Sequence, residues 1–197
     1  MMRSVVALAV FVGLLSASTF AAGESDLNAQ QLAIIRAATA KYLDVEKAKA
    51  DGYVQVSIFV PGSGYHFRNA GITGLDLEKP HILLYMKDGK GAWQLVGTEY
   101  GFPKGKEPPD SQVPFKGFEW DLHQAACHYK DANEIFEPNK DKCPKTHPQT
   151  GTEFAFWHPN LKTIHIWAWY PSPAGGVFKK KNPYLDAFDP KVAQASK

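Results

Sequence analysis

Seven histidines, His66, His81, His123, His128, His147, His158 and His165, are spread along a chain of 197 residues. Imidazole is the commonest metal-ligating side chain and the one that exchanges protons near neutral pH. The acidic residues nearest to them in pattern are Glu99 and Asp121. Glu99 lies in Leu95-Val96-Gly97-Thr98-Glu99-Tyr100, an otherwise apolar strand, on the same face as Trp93, Leu95 and Gly97. A carboxylate there is buried only if it is paired or coordinated. The rival reading pairs it with Arg68 or a lysine, or leaves it exposed at a strand end. His165 lies in Thr163 to Tyr170, rich in β-branched and aromatic residues. Alternation puts Thr163, His165, Trp167 and Trp169 on one face. Neither face is polar, so the strand is expected to be central and covered, and a covered histidine needs a hydrogen bond, a metal or a ligand. His66 follows Pro61-Gly62-Ser63-Gly64-Tyr65, a glycine pattern that suggests a tight loop and a close backbone approach.

Two imidazoles and one carboxylate suit a divalent transition metal. His66, Glu99 and His165 are therefore the candidate metal ligands, with zinc or copper favoured and iron a third choice. Binding through neutral imidazoles implies affinity that falls as pH drops through the histidine range near about 6.5. Whether such a site is catalytic is left open. Because a lone core histidine is more often a hydrogen-bonded structural residue, the assignment depends on whether the fold brings the three together. His81, His123 and His158 stand in reserve, while His128 and His147 are expected at the surface. A competing reading is a non-catalytic module for a sugar or another small ligand, using exposed tryptophans. Trp167 and Trp169 are the candidate ligand-binding pair, walling a cavity next to the metal residues. A third is an envelope protein whose histidines are simply satisfied in its core.

No HExxH, Walker, Rossmann or GxSxG pattern occurs, and CxxCH is also absent. The segments Pro-Gly-x-Gly-Tyr-His at 61–66, Leu-Val-Gly-x-Glu-Tyr at 95–100, His-x-Trp-x-Trp at 165–169 and Pro-x-Pro-x-Gly-x-x-Phe at 171–178 are distinctive in combination. Together they resemble a group of small exported bacterial proteins. The resemblance covers residues 40–183 and marks His66, Glu99 and His165 as the polar positions inside its motifs. It implies no particular substrate or activity.

The elements that must position these residues follow from periodicity. Residues 28–51 read as one long helix, with Asn28 as N-cap and an apolar stripe of Leu32, Ile35, Ala38, Tyr42 and Val45. Strands are expected at 53–60, 81–87, 93–101, 152–157 and 163–170, with a turn at 88–91. Residues 118–129 read as a short helix. A three-residue hairpin loop with a bulge would place His81 opposite Glu99; a two- or four-residue loop would not. One helix followed by strands and long loops gives an α+β fold, an N-terminal helix packed on an antiparallel β-sheet or an open β-barrel.

Residues 1–22 have the pattern of a signal peptide: Arg3, an apolar run from Val5 to Leu15, then small residues. That run is too short to span a bilayer. The remainder, 23–197, is expected to form a single globular domain in the periplasm or outside the cell, with no membrane span. Charge is balanced, with 22 basic and 20 acidic residues. Nothing in it argues for a nucleic-acid partner; a small molecule is the partner to expect. In an exported chain Cys127 and Cys143 read as a disulfide in preference to a metal thiolate.

Overall fold

The computed structural model describes residues 24–173 and 176–195. The expected export segment lies outside the described residues. Among the described residues nine strands follow an initial helical segment: β1 Val54–Gln55, β2 Tyr65–Arg68, β3 Ile82–Lys87, β4 Trp93–Pro103, β5 Asp121–His123, β6 Ala126–Tyr129, β7 Glu134–Phe136, β8 Phe154–His158 and β9 Leu161–Ile166. They build a six-stranded sheet in the order β1-β2-β3-β4-β9-β5 and a three-stranded sheet in the order β7-β6-β8. Every pairing is antiparallel. The fold is α+β, and neither sheet closes into a barrel.

The expected helix over 28–51 is broken into α1 (Glu24–Thr39), a 3-10 turn (Ala40–Leu43) and α2 (Val45–Ala50). The break has a local cause. Asp44 is extended and its carboxylate accepts from the Glu46 N–H, so it caps a new helix. Asn28 caps nothing. It lies inside α1, and its side chain exchanges two hydrogen bonds of 2.9 Å with the Lys116 backbone. The apolar stripe still meets the sheet: Leu32 and Ile35 pack on Tyr100, Ile164 and Ile166, and Tyr42, Val45 and Ala48 on Phe67, Leu83 and Tyr85.

That leaves the opposite face of the large sheet. At one end Ile82, Leu84 and Met86 form a second apolar layer with Trp167 and Leu185. At the other end the small sheet folds over it. The His128 ring bonds the Val56 carbonyl, the Ile58 N–H donates to Ala132, and the Arg68 guanidinium stacks on Phe156. Cys127 on β6 is joined to Cys143 by a disulfide with 5.7 Å between Cα atoms.

Several expected elements are corrected. Residues 118–129 hold no helix but two short strands, β5 and β6. The expected strand over 53–60 is reduced to Val54–Gln55 and one bridge between Val60 and Gly64. The central strand ends at Ile166, where the Ala168 N–H turns back onto the Ile166 carbonyl. This tight turn breaks the alternation beyond Trp167.

Candidate metal centre

Register places the trio. Glu99 on β4 lies directly opposite His165 on β9. His66 lies on β2 rather than in a loop, opposite Leu84 of β3, which in turn faces Gly97 of β4. Two glycines allow the strands to approach. A Cβ on Gly97 would lie 2.5 Å from the Ile166 carbonyl oxygen. Gly64, with φ of +75°, would drive a Cβ into the Tyr85 carbonyl.

The donor atoms of His66, Glu99 and His165 all lie within 4.8 Å of one another, and all three residues are buried. His66 Nε2 is 3.4 Å from Glu99 Oε2, and His165 Nε2 is 3.8 Å from Glu99 Oε1. These separations are long for hydrogen bonds. They suit ligands sharing an ion: at metal–ligand distances of about 2.0–2.1 Å, tetrahedral neighbours stand roughly 3.4 Å apart. Glu99 Oε2 and His165 Nδ1 have no hydrogen-bond partner among the described residues.

Neighbouring groups orient both rings. Ser57 Oγ lies 2.8 Å from His66 Nδ1 and also accepts the His66 backbone N–H. With Nδ1–H donating to Ser57, the Nε2 lone pair is turned towards Glu99. The Trp167 indole stacks on the His165 ring at 5.7 Å and is anchored by its N–H to the Lys179 carbonyl. Ser57 carried no signal in the sequence, because its segment reads as an ordinary strand.

Burial decides the protonation states. It pushes the Glu99 carboxyl up to about 7, opposed chiefly by the neighbouring Thr163 side chain and more weakly by Lys181, with Asp121 adding to the rise. It pulls His165 down to about 4 and His66 well below its ordinary range. Both imidazoles are therefore neutral at pH 7, and the group that titrates there is the carboxyl. This replaces the expectation that histidine protonation near 6.5 governs the site.

The trio opens onto a cavity of about 760 Å³ between the two sheets. Comparison of the chain with protein-family models, with curated proteins and with solved structures finds no match. The cavity wall itself holds the residues that the sequence reading misplaced. His128, expected at the surface, is buried and lines the cavity with His123, His158 and Glu134. Arg68 lies on β2 two residues from His66, on the same face of the strand.

The tryptophans do something other than expected. Neither Trp167 nor Trp169 lines the cavity; Trp157 does. Trp167 is fully buried behind His165, and Trp169 packs on the helical side, its N–H donating to Thr39. None of the five tryptophans is exposed. His81 is a structural histidine: Nδ1 accepts from the Gly101 N–H at 3.3 Å, and Nε2 bonds the Gly74 carbonyl. Ile82, not His81, stands opposite Glu99, because β3 shifts register between Leu84 and Tyr85. His147 is buried too, and its Nδ1 accepts the Gln149 and Thr150 N–H groups of a turn.

Proposed function

We propose that this is an exported protein, periplasmic or secreted, that binds a divalent transition metal through His66, Glu99 and His165. Zinc or copper is favoured over iron. The observation that carries the reading is the convergence of three buried donor atoms at ligand-to-ligand spacing. Charge logic supports it. The ion-pair neighbours of the buried Glu99 carboxylate are two neutral imidazoles, with Lys181 acting on it only from beyond ion-pair distance, and a divalent ion would supply the direct positive partner. The signal-like pattern of residues 1–22 and the Cys127–Cys143 disulfide support export.

Three protein donors leave a coordination position towards the cavity, whose volume suits a small molecule. An ion held there would polarise a carbonyl or acidify a water, so a metalloenzyme is the further reach of this reading. The sugar-binding alternative loses its main support, because it called for exposed tryptophans.

The test is metal content. Protein stripped with a chelator and reconstituted with zinc or copper should lose one ion per chain in His66→Ala and in His165→Ala, with circular dichroism unchanged. Equal content in all three proteins, or none in any, would overturn the proposal.

A further inference from the structure

The cavity that the trio lines is also lined by a second group of polar side chains that the proposed centre does not use. His123 comes from β5, His128 from β6, Glu134 from β7 and His158 from the end of β8. Glu134 Oε2 lies 3.6 Å from His128 Nε2 and 4.0 Å from His123 Nε2. As in the trio, these spacings are too long for good hydrogen bonds and near those of ligands around one ion. The His158 ring centroid is 5.1 Å from that of His123 and 5.0 Å from that of His128. Two imidazoles on one tetrahedral ion, with metal–nitrogen bonds of about 2.0–2.1 Å, have centroids roughly 5 Å apart.

Tautomers favour the same reading. His128 Nδ1–H donates to the Val56 carbonyl at 2.9 Å, and His158 Nδ1–H to the Pro159 carbonyl at 2.7 Å. In each ring the Nε2 lone pair is left free, the arrangement usual for a metal-ligating histidine. His128 has a side chain only 6% exposed, yet its Nε2 has no hydrogen-bond partner among the described residues. The buried Nε2 of His123 has none either. Buried polar atoms are normally bonded, and two unpartnered imidazole nitrogens beside one carboxylate point to a cationic ligand.

We propose that His123, His128, His158 and Glu134 form a second site for a divalent transition metal, weaker than the buried trio. The difference in strength follows from preorganisation. Among the described residues only the trio has three donors within 4.8 Å of one another. An ion must therefore draw the second set together, at a cost in affinity. Two of the elements that carry it are short and unpaired on one side, the kind that adjusts at least cost: β5 and β7 are three-residue strands at sheet edges. The His123 side chain is 34% exposed, so this site meets solvent more directly than the trio does.

Zinc titration of the chelator-stripped, disulfide-intact protein, followed by calorimetry, tests the proposal. Wild type should take up two ions per chain, the second at least tenfold more weakly. His123→Ala and His128→Ala should each remove the weak ion and leave the tight one unchanged; Glu99→Gln should weaken the tight ion and leave the weak one unchanged. His123→Ala matters most, because its half-buried position on an edge strand makes misfolding a poor explanation for loss. A single ion in wild type, or a weak ion that survives both histidine substitutions, would overturn the second site. Loss of the weak ion in those variants, with no effect of Glu99→Gln on the tight one, would sink the trio reading and leave this one standing.

Discussion

Lowering the pH from 8 to 6 should weaken metal binding at the trio about tenfold, and one proton on Glu99 should account for it. The Glu99 carboxyl is pushed up to about 7 by burial, whereas His165 stays neutral down to about 4 and His66 lower still. A bound cation favours the carboxylate, so the metal must displace whatever proton Glu99 carries. With a midpoint near 7, about nine-tenths of Glu99 is protonated at pH 6 and about one-tenth at pH 8. The ratio of ionised fractions is roughly ten, or about 1.4 kcal/mol. Two solvent-exposed histidines and an ordinary glutamate would behave differently. They would release about 1.5 protons at pH 6 instead of about 0.9, and their slope would steepen towards two below pH 6. Calorimetric titration with zinc at pH 6, repeated in buffers of different ionisation enthalpy, counts the protons directly. His123→Ala is the background of choice, since it isolates the tight ion. Glu99→Gln in that background should bind more weakly and release almost none. Release of more than one proton from the tight site, or the same release from Glu99→Gln, would refute the reasoning.

Other perturbations probe the frame. Unfolded, unreduced protein should show no free thiol, and reduction of Cys127–Cys143 should cost about 2–4 kcal/mol in chemical denaturation; two titratable thiols would contradict it. Ile166→Asp places a carboxylate in the fully buried layer beneath α1 and should abolish cooperative unfolding; an unchanged melting temperature would place Ile166 outside the core. Gly97→Ala meets backbone, not a yielding side chain, at 2.5 Å, and should cost about 1–3 kcal/mol and loosen the tight metal site with it. Metal-free protein should lose stability as pH falls from 6.5 towards 4. His66, His123, His128 and His165 resist protons that the unfolded chain accepts, outweighing the extra proton that folded Glu99 holds between 4.5 and 7. A urea midpoint that rises on acidification would reverse that sign.

Glu99 and His165 were legible in sequence because each breaks an apolar strand pattern, and a polar residue inside such a pattern must be partnered. His66 was legible through the glycines before it, although they belong to the turn feeding β2 and His66 itself lies in that strand. The second cluster was hidden for a physical reason. Its residues sit on strands of three to five residues, too short to establish a period, and segment 118–129 passes for a helix. His128 looked superficial beside a polar disulfide loop; only the folding of the small sheet over the large one buries it. Trp169 was misplaced because alternation was carried past Ile166, where a backbone turn sends the chain to the helical side.

The trio and the second cluster differ in how they are built, and that difference bears on function. Glu99 and His165 face each other across the long central pair β4 and β9, so their spacing is set by a ladder that cannot slip without turning apolar faces outward. Three of the second set sit on edge strands: Glu134 on β7 and His158 on β8 take their register from β6, which carries His128 and the disulfide, whereas His123 on β5 takes its register from β9 of the large sheet. A buried donor set on long paired strands and a more exposed one on short strands share a single cavity. With both proposed sites filled, an ion would be captured on the more exposed side and retained on the rigid side. Retention would then depend on Glu99 shedding its proton, which would couple the proposed tight site to pH near neutrality, where burial holds the histidines of both sets below their ordinary range.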